Sequence, residues 1–104
     1  MKKLMYYLEG KTPVPTDDYL KFVEMTANKD RHVALDKIGG NTISTVFIGL
    51  DYHLCGEPQL FETMVFSPDG DVLKVDRCGT WEQAENMHKR MVTAFNNGAK
   101  KQKQ

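Results

Sequence analysis

The 104-residue chain lacks net charge, because its 14 basic residues balance its 14 acidic ones. A dedicated nucleic-acid binder normally shows a basic excess, so nucleic acid is not an expected partner. Long apolar runs are missing too, and none approaches the roughly 18–20 residues of a membrane span. The opening Met1-Lys2-Lys3-Leu4-Met5-Tyr6-Tyr7 meets Glu9, Gly10 and Lys11 too early to build a secretory apolar core. The expected location is therefore the cytoplasm. Cysteine is scarce: Cys55 and Cys78 stand alone, and in a reducing compartment both are expected as free thiols. Walker loop, Gly-x-Ser-x-Gly elbow, His-Glu-x-x-His and Gly-x-Gly-x-x-Gly are all absent, so no cofactor is implied and no reaction class is announced.

What is present suits one packed domain. A hydrophobic share of 40% and a charged share of 27% are ordinary for a globular chain of this length. The domain is expected over residues 1–98, with 99–104 as a disordered tail holding Lys100, Lys101 and Lys103. Near-neutral charge offers little colloidal protection, which favours a homo-oligomer.

Tyr6-Tyr7-Leu8 reads as a strand entering a turn, and Pro13-Val14-Pro15 as an extended stretch. Thr16 is the expected cap of a helix over about Asp17 to Ala27, with Asp17 and Asp18 in its first turn. Arg31 to Ile38 reads as a strand that turns at Gly39-Gly40-Asn41. Thr42 to Leu50, rich in β-branched residues and apolar on both faces, reads as a central strand. Asp51 to Pro58 is an irregular loop. Gln59 to Phe66 and Val72 to Cys78 form a hairpin around Pro68-Asp69-Gly70. Thr80 and Gln83 make a capping box for a final helix, which Trp81, Ala84, His88, Met91 and Phe95 line and Gly98 ends. The expected class is α+β, a mostly antiparallel sheet in the order β-α-β-β-β-β-α with two helices packed on one face.

A straight hairpin register places Phe61, Thr63, Val65, Leu73, Val75 and Arg77 on the core face. The other face then carries Glu62, Met64, Phe66, Val72, Lys74 and Asp76. It reads either as scattered surface, with Lys74 neutralising Glu62 diagonally, or as an interface with a second copy built on Glu62, Met64, Phe66, Val72 and Lys74. The second reading leads. Glu62 and Asp76 as paired carboxylates, for acid–base work or a metal, come last. A one-residue slip would reassign every one of these side chains.

His53, Cys55, Cys78 and His88 are the residues considered for a zinc-type Cys/His set, but His-x-Cys matches no usual knuckle spacing. A histidine on an apolar helix stripe, as His88 is, reads first as a satisfied core residue. Arg77, beside the helix start at Thr80 and Trp81, is placed to hold an anion there. Asp51, His53 and Glu57 share the loop after the central strand, where binding residues gather. Asp51, His53, Glu57, Arg77, Thr80 and Trp81 are therefore the candidate ligand-binding set. No catalytic residue and no metal ligand is assigned.

The stretch from Ser44 to Asp51 (Ser-Thr-Val-Phe-Ile-Gly-Leu-Asp) is followed by Leu60-Phe61-Glu62-Thr63-Met64-Val65-Phe66. The last helix then carries Trp81-Glu82, Ala84-Glu85, His88 and Met91-Val92. Together these words resemble a small-protein family common in tailed bacteriophages and prophages. Arg31-His32-Val33-Ala34 and Thr12-Pro13-Val14-Pro15 extend the likeness over most of the chain. The resemblance implies a phage origin and the cytoplasm of the host cell, and it brings no assigned activity. It marks Asp51, Glu62 and His88 as shared positions. The loop departs from the family pattern, with Tyr52 directly after the aspartate and Cys55 where a glycine-rich run is usual.

Small phage proteins without enzyme motifs most often modulate the host. The leading expectation is a non-enzymatic, homo-oligomeric binding protein, either a counter-defence protein sequestering a nucleotide signal or an inhibitor of a host protein. A small hydrolase or nuclease using Glu62, Asp76 and His53 or His88 is the alternative. A structural or interaction subunit is the third.

Overall fold

A computed structural model describes the backbone of residues 4–27, 31–51 and 56–102, and side chains as far as residue 96. The elements are β1 (Met5–Glu9), β2 (Thr12–Thr16), α1 (Tyr19–Thr26), β3 (His32–Ile38), β4 (Asn41–Phe47), β5 (Phe61–Phe66), β6 (Val72–Cys78) and α2 (Trp81–Gln102). The α+β class holds, with every strand pairing antiparallel. The strands divide into a β1-β2 ribbon and a four-stranded sheet in the order β3-β4-β5-β6. Helix α2 packs on the four-stranded sheet, whereas α1 packs on the ribbon.

The prolines hid β2. Pro15 pairs with Tyr6 and Pro13 with Leu8. Alternate strand residues point their N–H groups the same way, so both prolines can turn their donorless side away from β1 in this two-stranded ribbon. Thr16 ends β2 instead of capping the helix. Its Oγ1 accepts from the Asp18 amide at 3.1 Å, and Asp18 is the actual cap, accepting from the Lys21 amide at 3.1 Å. The ribbon joins the larger fold where the Tyr6 amide donates to Gly49 O at 2.8 Å and the Asp51 amide to Leu4 O at 2.9 Å. Gly49 has a φ of +74°, and a Cβ there would lie 3.0 Å from Tyr6 O and 3.1 Å from the Phe47 ring. Only glycine allows that approach without strain.

The β5-β6 hairpin closes as expected, the Ser67 amide donating to Asp71 O at 2.8 Å. Phe66 faces Val72, but a bulge at Leu73 follows, and the register moves on to Val65–Lys74, Met64–Val75, Thr63–Asp76 and Glu62–Arg77. The physical reason is visible in the pairs. A straight register sets Glu62 against Asp76, a like-charge pair, whereas the bulge sets Glu62 against Arg77. Opposed charges directly across a sheet stabilise it by roughly 0.2–1 kcal/mol, and like charges destabilise it. The face assignments for β6 are accordingly reversed: Lys74 and Asp76 lie on the helix side, and Val75 and Arg77 on the other.

Under α2 the sheet presents three layers, set by the pairs Phe47–Phe61, Thr45–Thr63 and Ile43–Val65. Phe47 and Phe61 pack with Leu60 and Ala84, and Trp81 closes on them, its ring 6.1 Å from Phe61 and nearly perpendicular. Ile43 and Val65 pack with Met91, backed by Ile38, Val92 and Phe95. The helix stripe therefore matches expectation, with Met87 added to it. The capping box forms in altered shape. Thr80 Oγ1 accepts from the Gln83 amide at 3.1 Å, while Gln83 Oε1 reaches one residue further back, to the Gly79 amide at 3.1 Å. Gly98 does not end the helix, which continues through Gln102, so the basic segment begins as helix. Twenty-two residues make a helix of about 33 Å. Strands of six or seven residues span only about 20–23 Å, so α2 outruns the sheet.

Candidate functional site

Between the two apolar clusters sits a polar layer. Thr63 Oγ1 lies 2.5 Å from Thr45 Oγ1, which lies 2.7 Å from His88 Nδ1, and His88 Nε2 lies 2.7 Å from Asp36 Oδ2. A carboxylate can only accept, so Nε2 carries a proton. In the neutral ring Nδ1 then accepts from the Thr45 hydroxyl, whose oxygen accepts from Thr63. The order hydroxyl, imidazole, carboxylate is that of a nucleophilic triad, but Thr45 and Thr63 are 0% exposed and His88 only 4%. No substrate reaches that hydroxyl. His88 is a satisfied core histidine, and Asp36, half-exposed on β3, is the partner that single-sequence reading missed.

The expected ligand set disperses. Asp51 is buried at 2% exposure, while Glu57 is exposed, its carbonyl accepting from Gln59 Nε2 at 3.3 Å. His53 and Cys55 lie outside the described residues. Arg77 turns away from the helix start, its Nε and Nη2 each 2.9 Å from Glu62 Oε2. The Gly79 and Gln83 amides are engaged in the capping box, so the expected anion site at that corner loses two amide donors as well as the Arg77 guanidinium. Trp81 Nε1 is buried without a hydrogen-bond partner among the described residues, and Lys11 Nζ stands 5.7 Å from the Trp81 ring.

The carboxylate pair is also undone. Glu62 and Asp76 point to opposite faces of the sheet, which removes the arrangement an acid–base or two-carboxylate metal site requires. Among the described residues, no three His, Cys, Asp or Glu side chains cluster as metal ligands. Burial pushes the Cys78 thiol above its ordinary value. The nearby Asp76 charge adds to that, while the Thr80 carbonyl contact and Arg90 oppose it. A protonated thiol is a poor nucleophile and a poor metal ligand.

Two surfaces remain. The first is a groove beside β6. Helix α2 leans toward β3 and leaves the helix side of β6 open. The cleft between them holds about 370 Å³, with Asp76, Cys78, Gln83, Asn86, Met87 and Arg90 on its walls and Gln59 at one end. Arg77 also lines the cleft, and its guanidinium is held by Glu62. Gln83, Asn86 and Arg90 recur at helical spacing beside the apolar stripe, a signal that the sequence holds but that a polar helix flank does not distinguish from ordinary surface.

The second is the sheet face opposite α2, on which no described element packs. The pairings arrange it in three rows of four, running from β3 to β6: Lys37, Thr42, Phe66, Val72; Leu35, Ser44, Met64, Val75; His32, Val46, Glu62, Arg77. Of the expected interface residues, Glu62, Met64, Phe66 and Val72 are here and Lys74 is not. Val75 takes its place, so the middle row is more apolar than the sequence suggested. Comparison with protein-family models, curated proteins and solved structures finds no match. No helix among the described residues is long and apolar enough to cross a membrane.

Proposed function

We propose that this chain is a binding protein without catalytic chemistry, which holds a small anionic ligand of nucleotide type in the groove between β6 and α2. The observation that carries the reading is Arg90, a cation on the groove wall with no ion pair among the described residues. Beside it stand three amides: Asn86, and Gln59 and Gln83, which spend one group each on Glu57 O and the Gly79 amide and keep the other for the edge of a base. Asp76 adds an acceptor for a hydroxyl or exocyclic amine, and Met87 an apolar floor. A cation for a phosphate together with amides for a base is a recognition set. The groove's thiol, held protonated, supplies no activated nucleophile.

The resemblance to phage proteins gives this reading its setting: a protein that sequesters a nucleotide signal deprives a host defence of its messenger. The hydrolase alternative lacks its carboxylate pair. The interaction-subunit alternative keeps one supporting feature, the open sheet face.

The test is native mass spectrometry of protein purified gently from its expression host, followed by calorimetric titration with a panel of mono-, di- and cyclic nucleotides. The expected result is an added mass of nucleotide size, or saturable binding, that Arg90→Ala abolishes while Arg77→Ala leaves it largely intact. Protein of bare chain mass that gives no heat with any nucleotide refutes the proposal. So does binding that survives Arg90→Ala and Asn86→Ala together.

A further inference from the structure

We infer that the open face of the four-stranded sheet is covered by a second copy of this chain, packed face to face about a two-fold axis parallel to the strands. The inference rests on how residue sizes are distributed over the face. The two central strands differ in two of the three rows: β4 presents Thr42 and Ser44, both small, beside Phe66 and Met64 of β5, both large, while Val46 and Glu62 in the end row are of similar size. A two-fold axis along the strands lays β4 of each copy over β5 of the other and keeps the rows aligned. Phe66 then meets Thr42 of the partner subunit, Met64 meets Ser44 of the partner subunit, and the same contacts repeat in reverse. Large against small is how facing layers interdigitate at interior density. Aligned strands also match the common packing of two sheets, about 10 Å apart with directions within about 30°.

The outer strands fit the same axis. It brings β3 over β6, so that Leu35 and Val75, exposed at 56% and 45%, cover each other in the middle row. Lys37 lies at a corner over Val72, where its stem packs and its ammonium reaches water. The Glu62–Arg77 ion pair, already closed within one copy, falls in an end row at the rim and avoids full desolvation. The face carries two cations, Lys37 and Arg77, and one carboxylate, Glu62, and the axis keeps the two cations apart at opposite ends of the outer strands.

Area sets the strength. Four strands about 4.8 Å apart and three rows about 6.8 Å apart give a flat patch of about 400 Å² per copy. Two copies bury about 800 Å² before corrugation, just under the roughly 1,000 Å² at which stable interfaces begin. The dimer is thus expected to be concentration-dependent, with a Kd of about 1–100 μM.

Sedimentation equilibrium on the full chain from micromolar to several hundred micromolar tests this. Ser44→Met overfills the centre and Met64→Ser empties it, so each alone is expected to weaken the dimer about tenfold or more. The double variant Ser44→Met/Met64→Ser exchanges large and small across the axis and is expected to restore affinity to within a few-fold. Val75→Lys on the edge strand, where a lysine disturbs the monomer little, is an independent disruptor. Unfolding followed through Trp81 fluorescence confirms that each variant folds. A monomer throughout the range overturns the inference. So does a dimer indifferent to Ser44→Met and Val75→Lys, or a double variant no tighter than its parents.

Discussion

Thr45→Val is the perturbation that best separates a structural polar layer from a working triad. The valine keeps the shape of threonine and removes one oxygen from the middle of the core. His88 Nδ1 then has no donor, at a cost of about 1–3 kcal/mol for a buried unsatisfied group. The net bond to Thr63 is lost as well, about 0.5–1.5 kcal/mol, and the new methyl returns about 0.8 kcal/mol. The expected loss is therefore about 1–4 kcal/mol, centred near 2, and at the centre of that range a domain of this size loses roughly 8–16 °C in Tm. Thr63→Val removes the terminal hydroxyl and leaves the Thr45–His88 bond intact, so it should cost only about 0.5–1.5 kcal/mol. Urea unfolding followed by the single tryptophan, Trp81, measures both. The ordering is the decisive quantity. A Thr45→Val variant within 0.5 kcal/mol of the parent, or one less destabilised than Thr63→Val, refutes the chain of bonds described here.

Much of the fold was legible because local signals and tertiary context agreed. The β-branched run of Thr42 to Leu50 gave β4 as a central strand, the alternation of Phe61, Thr63 and Val65 gave the buried face of β5, and the helix stripe from Ala84 to Phe95 gave its cover; that β4 buries only Ile43, Thr45 and Phe47 was not legible in a run apolar on both faces. The failures have separate physical causes. Pro13 and Pro15 disfavour a strand in general but are tolerated on a ribbon with one free side. The bulge at Leu73 leaves no mark in β-propensity. It follows from the charges of Glu62, Asp76 and Arg77 taken across two strands, an interaction that a strand-by-strand reading does not contain. The polar layer was half legible. His88 on an apolar stripe demanded a partner, yet nothing local says that Asp36, 52 residues away in sequence, supplies it. The groove was illegible for another reason: it exists because α2 leans toward β3, and the direction in which a helix leans is decided by packing, not by its own sequence.

Two further outcomes follow from the same structure. The Cys78 thiol, raised above its ordinary value mainly by burial, should stay protonated at neutral pH. Its alkylation by iodoacetamide, mapped by peptide mass spectrometry apart from Cys55, should be slow at pH 7 and accelerate only above the range of a free cysteine; brisk labelling at pH 7 refutes the assignment. The cap of α1 gives the sharper comparison, because Thr16 and Asp18 are both plausible caps by residue type and only geometry distinguishes them. Asp18 accepts from the Lys21 amide in the first turn, so Asp18→Ala should cost about 1 kcal/mol. Thr16 Oγ1 accepts from the Asp18 amide, outside the helix, and Thr16→Ala should cost distinctly less. Because α1 packs on the ribbon and Phe22 reaches Gly49, fraying at Asp18 should also loosen the Tyr6–Gly49 bond that ties the ribbon to the sheet. Amide exchange at Tyr6 should then quicken in Asp18→Ala and stay unchanged in Thr16→Ala. Equal effects of the two substitutions would mean that α1 begins at Asp17, two residues earlier than observed, with Thr16 as its cap.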